Sequence, residues 1–195
     1  FMTKSIYFYF DFISPYSYLA HNKIKIIKKQ KNINFQYMPV LVGGLHSLQG
    51  ITSPAFIKAK LNHMISDCDI IAKKYNFNFL WNSKFPLNSL SLMRGYLFIN
   101  PSFRELYLDI IFDAYWKKNL DISNEKILIT LLESCNINSN NFLKGIRDQK
   151  IKDELKHFTK NAHDKEIFGT PTFVVDNKIF WGQDRLEYAL DEYDK

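Results

Sequence analysis

Cysteine is scarce in this chain of 195 residues: it has only Cys68 and Cys135, far apart, and neither belongs to a Cys-x-x-Cys pair. That excludes a disulfide scaffold, a zinc ribbon and a dithiol redox motif. No run approaches the ~18 uncharged apolar residues of a membrane span. The early run from Ile6 to Phe10 stops at Asp11, too short for the core of a signal peptide. Arginine is confined to Arg94, Arg104, Arg147 and Arg185. The formal charge of +6 therefore rests on lysine spread over helical segments, a solvated surface and not a nucleic-acid groove. The histidines, His21, His46, His63, His157 and His163, include no i, i+4 pair, so no helical metal site is expected. Phe1 ahead of Met2 reads as an expression remnant. The expectation is a cytoplasmic protein with reduced thiols, without a metal, nucleic-acid or membrane partner.

What is present can fill a core. Hydrophobic residues make up 46% of the chain and aromatics 16%, which excludes a disordered polypeptide. Ile6, Phe8 and Phe10 alternate with Tyr7 and Tyr9, so both faces are apolar, as in a central strand. Ser14-Pro15 reads as an N-cap followed by the first helical position, with Tyr16, Leu19, Ala20, Ile24 and Ile27 at helical spacing. Ile33, Phe35 and Tyr37 mark a second strand. Gly43-Gly44 and Gly50 read as a loop. From about Ser53 to Glu166 the periodicity is helical, with starts at Asn100-Pro101 and Ser123. After Gly169 come two short strands, Thr172 to Val175 and Lys178 to Trp181, joined by the hairpin pair Asp176-Asn177. Asp184 then opens a last helix, with Glu187 as its capping-box partner. The order is β-α-β, a helical block, then β-β-α. This is an α/β, thioredoxin-like fold with an inserted all-helical domain: residues 1–50 and 167–195 form the thioredoxin-like part, residues 51–166 the insertion.

Three segments carry chemistry. Asp11 to Ser17 runs from the first strand into the first helix, where a redox thioredoxin fold has its Cys-x-x-Cys; here it reads Ser14-x-x-Ser17. A helix N-terminus stabilises negative charge, and a serine there donates a hydrogen bond but forms no disulfide. Thr170-Pro171, entering the third strand, is a candidate cis peptide whose Thr170 backbone would face the Ser14 helix start. Gln183-Asp184 lies at the last helix start, where carboxylate and amine groups are both accommodated. Each has a plainer alternative: an ordinary N-cap at Ser14, a trans proline at a strand start, a capping aspartate. Tyr16, Phe85 and Trp181 are candidates for an aromatic substrate slot or for the core. Cys68 reads as a small buried hydrophobe.

Together the motifs resemble the 2-hydroxychromene-2-carboxylate isomerase family, near the kappa-class glutathione transferases in the DsbA-like group. Asp11 to Ala20, DFISPYSYLA, resembles the family's opening motif, and Phe168 to Arg185, FGTPTFVVDNKIFWGQDR, its closing one. Phe85 to Leu90 with Met93-Arg94, and Asp67, resemble intervening positions. His63 departs from the tyrosine common there, and Asn76 from the glycine. The resemblance implies glutathione as cofactor, with Ser14 catalytic and hydrogen-bonded to the glutathione sulfur. It implies Thr170 and Pro171 against the cysteinyl part, Gln183 and Asp184 at the γ-glutamyl end, and Lys60 on an anionic group. Asn88 would contact substrate or brace its loop, with Tyr16 beside it. The implied activity is glutathione-dependent isomerisation of 2-hydroxychromene-2-carboxylate or a similar aromatic unsaturated oxo-acid, in a homodimer. The alternatives are a kappa-type glutathione transferase or peroxidase, and a non-catalytic peptide-binding module on the same scaffold.

Overall fold

Four strands form one sheet in the order β2-β1-β3-β4: β1 Ile6–Phe10, β2 Phe35–Pro39, β3 Thr172–Val175 and β4 Lys178–Trp181. The computed structural model describes residues 4–195, so Phe1 and Met2 lie outside the described residues. β1 pairs in parallel with β2, Phe8 opposite Tyr37, and antiparallel with β3, Phe8 opposite Phe173. These three rings pack together, Phe8 stacked on Phe173 at 5.3 Å and edge-on to Tyr37 at 4.9 Å. The aromatic strand sequence thus sets the register by ring contact across the sheet. β3 and β4 are joined through Asp176 and Asn177, both at positive φ (47° and 64°), the two-residue turn that their sequence predicts.

The parallel pair is bridged by α1, Pro15–Gln30, whose N-cap is Ser14. Between β2 and β3 lies the helical insertion: α2 Val42–Gln49, α3 Lys58–Tyr75, α4 Leu90–Phe98, α5 Arg104–Trp116, α6 Glu125–Ser134, α7 Ser139–Gly145 and α8 Gln149–Asp164. The chain closes on α9, Leu186–Tyr193. This is the expected thioredoxin-like order with an all-helical segment inserted. The insertion and the sheet share one core, in which Phe10, Phe12, Tyr107, Phe112 and Trp116 are fully buried. The Trp116 indole N–H donates to the Phe12 carbonyl at 2.8 Å, tying α5 to the segment that leads into Ser14. No helix among the described residues is long and apolar enough to cross a membrane.

Local readings are corrected at four places. Gly43-Gly44 is inside α2, not in a loop: a Cβ on Gly44 would come 3.2 Å from Thr159 Cγ2, so glycine serves close packing of α2 on α8. Gly50 is the stop, with φ 65° after the last turn. The cap of α6 is Asn124, whose Oδ1 accepts from the Lys126 N–H at 3.0 Å, while the Ser123 hydroxyl turns to Asp121. Residues 77–88 leave the helical pattern; the Leu80 N–H donates to the Trp116 carbonyl at 2.8 Å, and Phe85-Pro86 is cis. Finally, Asp184 does not cap a helix. It sits in a 3-10 turn, Gln183–Arg185, with its carboxylate against Gly182, where a Cβ would come 2.5 Å from Asp184 Oδ1.

Candidate functional site

The start of α1, the α2 and α3 helices, the loops 51–56 and 85–90, and the segments 168–171 and 181–185 enclose a cavity of 1310 Å³. Ser14, Tyr16, Lys60, Asn88, Thr170, Pro171, Gln183 and Asp184, all anticipated from sequence, line it. Neither cysteine does: Cys68 is buried inside α3, where burial pushes its thiol well above the ordinary range, and Cys135 follows α6.

Ser14 occupies the cavity floor because Pro15 starts α1 there. Its Oγ accepts from the Ser17 N–H at 3.1 Å and donates to the Thr170 carbonyl at 3.1 Å. The N-cap bond and a bond to the Thr170 main chain at the cavity therefore fall on one hydroxyl. The Thr170-Pro171 peptide is cis, as the motif predicts. The Thr170 hydroxyl is buried without a partner, and so is that of Ser17.

Beside Ser14 lies Asp11, 1% exposed. Its Oδ1 accepts from the Ile13 N–H at 3.2 Å and its Oδ2 from the Val42 N–H at 2.9 Å. Burial pushes this carboxyl up to about 6, against the opposing pull of the Ser89 hydroxyl and the two N–H groups. Asp11 carried no role in the sequence reading. Its place between strand and helix, ahead of the cap, was the available signal.

The α3 face toward the cavity is Lys60, His63, Met64, Asp67 and Ile71, a helical stripe. The Tyr16 hydroxyl donates to Asp67 Oδ2 at 2.8 Å, which clamps α1 to α3; burial is the chief cause raising that hydroxyl's pKa. Asn88 Oδ1 accepts from the Leu90 N–H at 3.0 Å and so braces the start of α4. The Gln183 carboxamide oxygen accepts from Lys23 Nζ at 2.6 Å. The pairing was not visible from sequence, because the two residues lie 160 positions apart.

The mouth is aromatic. Phe56 is 75% exposed, and the rings of Phe168 and Trp181 lie 4.9 Å apart. A Cβ on Gly169 would come 2.8 Å from Trp181 Nε1, so glycine admits that ring. Phe85, the third aromatic of interest, also lines the cavity but leans on Trp81 and Trp116. The site thus offers a hydroxyl at a helix start, an unpartnered Thr170 hydroxyl, both signs of charge and an apolar entrance.

A family model described as DSBA-like thioredoxin domain matches residues 5–194. A 2-hydroxychromene-2-carboxylate isomerase of Sphingobium xenophagum is 26% identical over 194 residues, 98% of this chain and 98% of that one. Glutathione S-transferase kappa 1 of Homo sapiens is 25% identical over 201 residues, 95% of this chain and 89% of that one. The solved structure of a 2-hydroxychromene-2-carboxylate isomerase superposes with a TM-score of 0.87 at 22% identity, covering 95% of this chain and 92% of that one.

Proposed function

The chain belongs to the DSBA-like thioredoxin domain family, and on that footing we propose that it is a glutathione-dependent isomerase of 2-hydroxychromene-2-carboxylate or a similar aromatic unsaturated oxo-acid. The observation that carries this is Ser14. The head of α1, where a dithiol would sit, holds a serine hydroxyl, and no cysteine lines the cavity. A reactive thiol has to arrive with the ligand.

The residues present fit a tripeptide thiol. The unpartnered Thr170 hydroxyl and the Thr170 main chain suit a peptide unit laid alongside. Gln183 and Asp184 suit the carboxylate and ammonium of the γ-glutamyl end, and Lys60 a further anionic group. Bound glutathione would supply the nucleophilic sulfur that the chain lacks. Ser14 would turn its hydroxyl from the Thr170 carbonyl to that sulfur, and the N-terminus of α1 would favour its negative charge. The cavity exceeds the ~300–1,000 Å³ of ordinary ligand pockets, which leaves room for an apolar substrate beside the tripeptide. Its aromatic mouth suits a planar ring.

The test is conversion of 2-hydroxychromene-2-carboxylate with and without glutathione, with total free glutathione assayed at the end. Turnover that requires glutathione and leaves it unconsumed supports the isomerase. Consumption of glutathione with a generic electrophile, and no isomerisation, favours a transferase, the second reading, which the kappa-class relative supports. Calorimetry that finds peptide binding but no glutathione binding favours the peptide-binding module.

A further inference from the structure

Gln183 is a nearly buried carboxamide at the cavity wall. Its side-chain oxygen accepts from Lys23 Nζ at 2.6 Å, and its main-chain carbonyl lies 3.5 Å from the same ammonium. Lys23 stands on α1, and its Nζ lies 4.2 Å from the centroid of the Tyr75 ring at the end of α3. On α1 the lysines that find carboxylates are Lys25, with Asp109, and Lys28, with Glu105. Lys23 has a ring and an amide instead.

Valence decides the orientation. An ammonium has donors only, so the carboxamide must turn its oxygen to Lys23 and its Nε2 away from it. That nitrogen has no hydrogen-bond partner among the described residues. An ammonium on the oxygen also polarises the amide and strengthens its N–H groups as donors. The acceptor that gains most from such a donor, with a positive charge behind it, is an anion.

We propose that Lys23 is a positioning residue of the cavity: it holds Gln183 as an oriented donor, and that donor receives a carboxylate of the ligand. The inference rests on the glutathione reading, because glutathione carries two carboxylates, one on the γ-glutamyl and one on the glycyl end.

The experiment is calorimetric titration of wild type, K23M and K23R with glutathione and two analogues. One analogue is 4-aminobutyryl-cysteinyl-glycine, without the γ-glutamyl carboxylate. The other is γ-glutamyl-cysteine methylamide, without the glycyl one. K23M should raise the glutathione Kd about tenfold, the loss of one oriented bond to a charged group. Its kcat at saturating glutathione should hold, and K23R should restore binding to within about threefold. The 4-aminobutyryl analogue should bind wild type more weakly than glutathione does, and that difference should disappear in K23M; a difference that disappears only for the methylamide analogue overturns the placement of Gln183 at the γ-glutamyl carboxylate. Should K23M melt early, Q183E keeps the Lys23 contact but offers the ligand an oxygen; it should bind at least as weakly as K23M is expected to. Wild-type affinity and wild-type discrimination in a folded K23M, or wild-type affinity in Q183E, overturn the inference while the functional reading stands. A wild-type protein that binds no glutathione overturns both.

Discussion

The Ser14 hydroxyl donates to the Thr170 carbonyl at 3.1 Å across 156 positions of sequence, and this bond joins the two halves of the sheet domain at the cavity floor. In this state the hydroxyl proton is engaged within the protein. On the function proposed above, ligand binding would draw it away, and a bound sulfur would replace the Thr170 carbonyl as its acceptor. Ser14→Ala removes the donor and leaves Ser17 without its cap acceptor. Glutathione-dependent turnover should fall ~10²-fold or more, the cost of one donor aimed at developing negative charge. The thiol pKa of bound glutathione, read from the pH dependence of its thiolate absorption, should rise. A variant with full turnover and an unchanged thiol pKa excludes this role for Ser14.

The same position should accept a sulfur of its own. In S14C the thiol would sit at the head of α1, and its pKa should fall below the ordinary value of about 8.5. The rate of alkylation against pH measures it. Ser17 is fully buried one helical turn on, with an unpartnered hydroxyl. The double variant S14C/S17C rebuilds a Cys-x-x-Cys in a fold that has kept its place. It should form an internal disulfide and acquire dithiol reductase activity towards insulin. Two thiols that stay free under an oxidising glutathione buffer would count against it.

Local features were legible in the sequence and distant pairings were not. Ser14-Pro15 and Asp176-Asn177 could be read because a cap and a two-residue turn are encoded within a few positions. The three motif segments were placed around one cavity by the strand order alone. Gly43-Gly44 misled because the second glycine, Gly44, answers to Thr159 on α8, more than a hundred residues away. Ser123 and Asn124 both have cap chemistry, and the neighbouring Asp121 decided between them. Tyr16–Asp67 and Lys23–Gln183 are pairs across the cavity wall, and nothing near either partner in sequence announces them.

Trp116 couples the insertion to the site. Among the described residues its indole N–H finds its acceptor in the Phe12 carbonyl, and the ring is fully buried among Phe79, Trp81 and Tyr115. Trp116→Phe keeps an aromatic ring but leaves that carbonyl unpaired and a void behind it. The expected cost is ~2–4 kcal/mol in urea unfolding, from an unsatisfied buried group and lost packing. Because Phe12 precedes Ser14 by two residues, kcat should also fall in the folded variant. A stability loss with unchanged kcat would show that α5 supports the core without setting the site.

Asp11 makes stability depend on pH in a direction opposite to that of most carboxylates. Its pKa is about 6 in the folded protein against an ordinary value of 3.8, because burial penalises the charged form. The folded state therefore binds the proton more tightly than the unfolded chain. The stability this confers is full below about pH 4 and is lost as pH rises through about 6, an amount of ~3 kcal/mol. D11N is neutral throughout and lacks this fall, but one of the two N–H groups, of Ile13 or Val42, loses its acceptor. That loss costs about 1 kcal/mol at every pH. Wild type should accordingly be the more stable protein at about pH 3.5, the two should be level near about pH 4.5, and D11N should lead by ~2 kcal/mol at about pH 8. Urea unfolding of both proteins across that range measures the difference. Parallel curves would mean that Asp11 titrates alike in the folded and unfolded chain, and that its burial beside Ser14 carries no electrostatic cost.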